Sequence, residues 1–467
     1  MPQPKRSSPS LFRVAAPLRR ALGGLVVAGM VLAAGELALR MWVPEAQQPA
    51  PIDRFALADV AAGAYVHRRD SVAGDWLEEA DGRVRTRPSR RPEGVATVDV
   101  TMVPEPGVHR IVALGGSTTR GVPFDHLGGG FVAELTARLS SLSDQPFEVV
   151  NLGVPGMDAR GVARMAEEAR QLHASTWVLY TGNNEVMGDL LDRCVRSERL
   201  LLARTLDRLL GYRLLRRQLL GAPTRPTGAD AIAAQDACTG ARIAEAWADG
   251  TARTGGALDP TYAAGVTQPL VRTDGAAHAV DRRLRSALDR ILEAAARDGV
   301  RVVLAIPATN LTHKPGHPLA GPGRTGADAA EADRWIAQAR RAPGGQALAA
   351  WTEALRVDPH RADALHGWGM ARLALGGDPA SAVRALRAAV DHDYAARRPT
   401  SAVRKALMDT CDRSMVTCVS LDAVLSEQAR QPIVPEDWFF DHCHPSAVGT
   451  QQIGGVLAAA VVDTAVP

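Results

Sequence analysis

The chain carries no excess of charge of one sign. Lys and Arg total 54 against 51 Asp and Glu, a net charge of +3. That balance gives no electrostatic case for nucleic acid, which demands a basic face. Lysine is scarce, and the basic residues are almost all arginine. No C-x-x-C repeat is present, so no cysteine-rich metal motif can be read, and no metal or cofactor is expected. The five cysteines fit an oxidising compartment. Cys411 with Cys418 and Cys194 with Cys238 are the pairs suggested, with Cys443 left over.

What is there points first to an exported protein. Lys5, Arg6, Arg13, Arg19 and Arg20 precede the apolar run ALGGLVVAGMVLAAG at 21–35, and Glu36, Arg40 and Trp42 follow. Ala21 to Val43 is long enough to cross a hydrocarbon core of about 30 Å. Glu36 and Arg40 lie one turn apart near its far end, where they could pair. The basic flank stays in the cytoplasm, so the bulk of the chain would lie outside it. A cleaved signal peptide is the competing reading, since small residues surround VLAAGELA. Residues 1–20 are then a cytoplasmic tail, 21–43 a single-pass anchor, and 44–105 a polar membrane-proximal linker and flap.

From His109 the pattern changes. HRIVAL (109–114), FEVVNL (147–152), STWVLY (175–180) and VRVVLAIP (300–307) are short β-branched or aromatic runs that end near Gly, Asn or Pro. FVAELTARLSSL (131–142), GVARMAEEARQL (161–172) and DRRLRSALDRILEAAARDG (281–299) are helical in pattern. Alternating buried strands and amphipathic helices predict an α/β domain with a parallel sheet, whose chemistry gathers at the carboxyl ends of the strands. The leucine-rich, basic segment 197–220 reads as a helix that covers the domain or lies on the membrane surface. Residues 221–280 read as a long excursion.

Residues 347–393 hold no strand signal. Ala354, Pro359, Gly369, Gly376 and Ala389 fall near the small and late positions of a 34-residue helical pattern, with GGDP as an insertion. This resembles the tetratricopeptide repeat. One repeat and part of another cannot stand alone, so the segment must lean on the main domain. It would bind a protein partner or form a wall of the active site.

Four polar clusters need a joint explanation: GGSTTRG (115–121), NLGVPGMD (151–158), YTGNNEV (180–186) and DHCHPSAVGTQQIG (441–454). Taken alone, Ser117 is a helix cap, Gly156 a turn glycine and an asparagine of GNN a strand-end cap. Together they supply what ester cleavage through a serine requires: a hydroxyl, a base, a group that orients the base, and oxyanion donors. Asp441 lies three residues before His444, close enough on one turn to meet its imidazole. The backbone N–H groups of Ser117 and Gly156 and the amide of Asn183 or Asn184 are candidate donors. His442 reads as structural and turned away from Asp441, and Cys443 as a small buried residue. Adjacent ligands rarely converge on one ion, so Asp441, His442, Cys443 and His444 are not read as a metal site. The glycines of HLGGGF (126–131) and the stretch NLTHKPGHP (310–318) would line the rim.

In this order the motifs resemble the SGNH (GDSL-type) hydrolases. The resemblance spans about 106–320 and 430–467, and the layout is similar to membrane-anchored bacterial members. It implies a flavodoxin-like three-layer α/β/α domain, split into 106–320 and 401–467 by a helical insert at 321–400. It implies Ser117, Asp441 and His444 as catalytic residues. The family's Gly-x-Asn-Asp block, laid on Gly182–Glu185, makes Asn184 the oxyanion donor beside Ser117 and Gly156. Two positions depart from the pattern: Gly116 stands where an aspartate is usual, and Glu185 replaces the second aspartate. The function expected is extracytoplasmic hydrolysis of acyl esters, with a glycan or lipid as the alcohol side. O-acyl transfer to a cell-surface glycan, or a catalytically silent scaffold, are the alternatives.

Overall fold

The computed structural model describes residues 31, 33–42, 77–86, 97–186, 209, 211, 214–215, 274–316, 320–321, 324–393 and 396–465. The chain divides into two compact units, residues 1–57 with 197–225, and residues 58–196 with 226–467. In the first, Arg40 donates to Glu36 at 2.8 Å, and Gly211 N–H donates to the other Glu36 oxygen at 3.1 Å. The first half of the expected span Ala21–Val43 lies outside the described residues, as do most of 197–220, all of 221–273 and both Cys194 and Cys238. No helix among the described residues is long and apolar enough to cross a membrane.

The second unit opens with three short antiparallel strands, β1 (Leu77–Ala80), β2 (Arg83–Thr86) and β3 (Asp99–Thr101). They lie inside the stretch expected to be linker and flap. Leu77, Val84 and Val98 are buried in the main core, and buried Arg110 clamps the sheet by donating to Met102 O and Thr101 Oγ1. Strands of three or four residues are too short to show a period of two in sequence.

The central sheet is parallel, built from β4 (His109–Gly115), β5 (Phe147–Asn151), β6 (Thr176–Tyr180), β7 (Arg301–Ile306) and β8 (Val416–Ser420). Its order β5-β4-β6-β7-β8 is the doubly wound order of flavodoxin-like folds. Four of these strands coincide closely with the apolar runs seen in sequence. The connecting helices in chain order are α1 (Ser117–Arg120), α2 (Phe131–Leu142), α3 (Ala159–Ala169) and α4 (Asp274–Arg297). Then come α5 (Gly326–Ala339), α6 (Gly344–Val357), α7 (Ala362–Ala374) and α8 (Pro379–Asp391), followed by α9 (Ser401–Asp409), α10 (Leu421–Ala429) and α11 (Ala447–Ala465).

Side chains of the strands alternate between two cores, because successive residues of a strand face opposite sides. Val112, Leu114, Trp177 and Leu304 pack against α3, α4 and α9 on one face. Ile111, Ala113, Val178 and Val303 pack against α2, α10 and α11 on the other. Helices therefore cover both faces, giving three layers. Cys411 and Cys418 form a disulfide that ties the turn after α9 to β8.

Helices α5 to α8 lie between β7 and α9 and pack consecutively. They have their own core around Ile336, Ala350, Trp351, Ala354 and Ala364. A side chain at Gly369 would strike Leu386, so α7 and α8 approach at that small residue.

Candidate active site

Three of the polar clusters leave the sheet at the carboxyl ends of β4, β5 and β6, and the fourth begins in the loop between α10 and α11. Strand β4 runs into Gly115 and Gly116 and turns at once into α1. A Cβ on Gly115 would overlap Thr119 Oγ1 and the Tyr180 carbonyl, so only glycine lets the strand turn this tightly against β6. Ser117 is the first residue of α1, and its cap position is Gly116 with no side-chain cap bond. The Ser117 hydroxyl is therefore not spent as a helix cap. Below it, Asn151 at the end of β5 fastens α1 to the following turn. Its amide donates to Thr119 O at 2.8 Å, and its Oδ1 accepts from Gly153 N–H at 2.8 Å.

Across from Ser117 stands the loop before α11. Phe440 N–H donates to His444 O at 2.8 Å and closes the loop on itself. Asp441 Oδ1 accepts from the backbone N–H groups of Cys443 at 2.9 Å and His444 at 2.8 Å. Its second oxygen, Oδ2, lies 2.7 Å from His444 Nδ1. One carboxylate thus folds the turn and orients the imidazole it serves. The other ring nitrogen, His444 Nε2, lies 2.7 Å from Ser117 Oγ, across a sequence separation of 327 residues. Since the carboxylate can only accept, Nδ1 carries the proton and Nε2 is free to accept from the hydroxyl.

The electrostatics follow from this geometry. Burial alone would raise the Asp441 carboxyl, but the hydrogen bond from His444 and the nearby His442 hold it well below the usual carboxylate range. Burial alone would lower His444; its contacts with Asp441 and Cys443 outweigh this and hold the imidazole above its ordinary value. His442 is pushed down to about 4 by burial. It does not face away as expected, since its Nδ1 lies 3.7 Å from Asp441 Oδ1 and its ring centroid 6.0 Å from that of His444. The reason is the tight turn at Asp441, which gathers three consecutive side chains round one carboxylate. Cys443 is a free, buried thiol with Sγ 3.8 Å from His444 Nδ1.

Ligand atoms of Asp441, His442 and Cys443 lie within 4.8 Å of one another, and among the described residues they form the one group suited to a metal ion. Both Asp441 oxygens already accept strong hydrogen bonds, so an ion there would compete with the turn and with His444.

Of the expected oxyanion donors, Asn184 and the turn that carries Gly156 lie beside Gly116, the residue before Ser117. Asn184 Nδ2 donates to Met157 O at 3.0 Å and lies 3.1 Å from where a Cβ on Gly116 would sit. Its amide is therefore next to the backbone leading into Ser117. Gly156 occupies the turn between Val154 and Met157 with φ of 72°, a left-handed conformation that suits glycine. The carbonyls of Val154 and Met157, on either side of that turn, both approach Gly116. Asn183 is buried instead, with Nδ2 3.5 Å from Thr118 Oγ1 beneath the serine.

Two further residues escaped the sequence reading. Glu185, seen there only as a departure, is buried and accepts from Ala159 N–H at 2.9 Å, holding the start of α3. Asn310, grouped with the rim, donates from Nδ2 to Asp441 O at 2.8 Å. Neither YTGNNEV nor NLTHKPGHP carries a signal of these bonds.

No protein-family model and no curated protein matches the chain. Among solved structures it is similar to a lipase from a goat rumen metagenome, with 10% identity and a TM-score of 0.35 over 75% of this chain and 97% of that one. It is also similar to a GDSL-like lipase from Bacteroides thetaiotaomicron, with 9% identity and a TM-score of 0.30 over 76% and 89%. A catalytic mutant of an acetylxylan esterase from Geobacillus stearothermophilus gives 12% identity and a TM-score of 0.33 over 76% and 93%. The chemistry of the site is read from its own atoms: a serine hydroxyl, an imidazole and a carboxylate in line at the carboxyl edge of a parallel, doubly wound sheet.

Proposed function

We propose that the chain is a serine ester hydrolase of the SGNH type, anchored in a membrane with its hydrolase domain outside the cytoplasm. The observation that carries the reading is the continuous hydrogen-bonded line Ser117 Oγ, His444 Nε2, His444 Nδ1, Asp441 Oδ2. His444 takes the hydroxyl proton as Ser117 Oγ attacks the ester carbonyl carbon. The carbonyl oxygen becomes an oxyanion, received by the N–H groups of Ser117 and Gly156 and the amide of Asn184. When the tetrahedral intermediate collapses, the C–O bond to the alcohol breaks and His444 returns the proton to the departing oxygen. Water then attacks the acyl-serine, giving its proton to His444, and the acid leaves with Ser117 restored. Asp441 stays ionised throughout and balances the imidazolium.

Export is supported by the basic flank and apolar run at the N-terminus and by the Cys411–Cys418 disulfide, a bond that persists in oxidising compartments. The helical insert, in this reading tetratricopeptide-like, borders the hydrolase domain, and its outer face at 347–393 would meet a protein partner. The alcohol side of the ester is a glycan or a lipid.

The test is hydrolysis of p-nitrophenyl acetate by the purified chain and by Ser117→Ala, with and without acetylated glycans and free glycan acceptors. Release of acetate by the wild type alone supports hydrolysis. Transfer of acetate to an acceptor in place of water converts the reading to O-acyl transfer by the same residues. Equal activity of Ser117→Ala rejects both, and a folded wild type inert to every ester leaves the scaffold reading. A reporter fused to the C-terminus, active only outside the cytoplasm, tests the orientation.

A further inference from the structure

The loop after β7 joins the helical insert to the base-bearing turn. Asn310 sits at its centre and uses both ends of its side chain. Its Nδ2 donates to the backbone carbonyl of Asp441 at 2.8 Å. Its Oδ1 accepts from Thr312 N–H at 3.1 Å, Thr312 Oγ1–H at 2.6 Å and His313 N–H at 3.2 Å. The amide therefore curls its own loop into a fixed turn and presents one donor to the residue that orients His444.

That turn is in turn held from the insert. His366, on α7, is buried, and its Nε2 lies 2.8 Å from Thr312 O. A carbonyl only accepts, so Nε2 carries the proton and donates. Burial pushes His366 down to about 4, which keeps the ring neutral near pH 7. Arg398, in the segment that leads from the insert back to α9, is buried and donates to Asn310 O at 2.7 Å and His313 O at 2.8 Å. Asp393 lies 3.8 Å from the Arg398 guanidinium and accepts from Gly316 N–H at 3.0 Å. The bonds from Asn310 to Asp441, from His366 to Thr312 and from Arg398 to Asn310 and His313 join segments far apart in sequence, and Asn310, His366 and Arg398 are buried.

We propose that Asn310 is a positioning residue for Asp441, and that the helical insert, through His366 and Arg398, holds Asn310 in place, making the insert a structural part of the catalytic machinery. The proposal rests on the reading of Ser117, His444 and Asp441 as the reacting set and extends it to the insert. A carboxylate that drifts from His444 by a fraction of an ångström loses its hold on the tautomer and on the raised imidazole pKa. Hydroxyl activation then weakens while substrate binding does not.

The experiment follows both turnover and the titration of His444 itself, by NMR of histidine-labelled full chain. Asn310→Ser removes the donor to Asp441 O without adding a charge beside His444. We expect kcat on p-nitrophenyl acetate to fall about tenfold or more with KM unchanged. The His444 titration, and with it the rising limb of the pH profile, should move down by about one unit. His366→Ala should change both in the same direction, and His366→Gln, whose amide can donate to Thr312 O, should restore them. Thermal unfolding confirms that each variant is folded. Should Asn310→Ser not fold, Asn310→Leu, which likewise removes the amide without adding charge, is read in its place, and the His366 pair is read independently. Wild-type kcat and an unmoved His444 titration in folded Asn310 and His366 variants would overturn the proposal. Full activity in Ser117→Ala would instead strike at the esterase reading and leave the titration of His444 to decide the positioning role.

Discussion

Ser117 stands where a helix begins, and its environment separates two roles that the residue type alone does not. A capping serine spends its oxygen on a backbone N–H two or three residues ahead. Here the oxygen meets His444 Nε2 at 2.7 Å and makes no cap bond. Removing it in Ser117→Ala should cut ester hydrolysis by about a thousandfold or more, read as kcat/KM, because the remaining oxyanion donors cannot replace the nucleophile. The base sets the pH response. His444 must be neutral to accept the proton, and Asp441 together with Cys443 holds its pKa above the ordinary imidazole value. Activity should therefore rise with pH through a limb above about 6.5. Asp441→Asn removes the charge that favours imidazolium, so the limb should move to lower pH while the maximal rate falls. A kcat/KM profile of the two proteins checks both the direction and the loss. Three of the motifs were legible in sequence because each pairs a strand end with a residue type its chemistry needs, and the fourth because Asp441 and His444 share one turn before a helix. Asn310 and His366 were not, because a buried amide and a buried imidazole look the same in sequence whatever they bond.

The elements that carry these residues differ in how plainly the sequence announces them. Strands β4, β6 and β7 are rich in β-branched, aromatic and other apolar residues buried on both faces and appear as continuous apolar stretches, while the edge strand β5 is half-buried but still carries the apolar run FEVV. Strand β8, VTCVS, is half-buried along most of its length and carries two polar residues besides its cysteine, so nothing in its pattern rises above a loop. Its place at the sheet edge comes from pairing with β7 and from the disulfide at Cys418. The junction of β4 and α1 is more exacting. Gly115 has no room for a side chain between Thr119 and the Tyr180 carbonyl. Gly115→Ala should destabilise the protein by about 1–3 kcal/mol through that overlap, seen as a lower midpoint in urea, and should reduce turnover further by displacing Ser117.

At the scale of the molecule, two apolar cores sandwich one parallel sheet, and all the reacting groups emerge at one edge of it. That much follows from alternating strands and helices. The docking of β1 to β3 and the anchoring of the insert by His366 and Arg398 do not, since they depend on contacts between residues far apart in sequence. The disulfide belongs to this scale as well. It closes a loop with a sequence separation of 7 residues, so its loss in Cys411→Ser with Cys418→Ser should cost roughly 2 kcal/mol of stability, measured as a lower unfolding midpoint. The site lies apart from that loop, and folded double variant should keep its turnover. The central claim, that Ser117 is a nucleophile armed by His444, is tested most directly by treating the folded chain with a fluorophosphonate and mapping the adduct by mass spectrometry. The account predicts one adduct, on Ser117, that disappears in His444→Ala. Folded wild-type protein with Ser117 unmodified would contradict it.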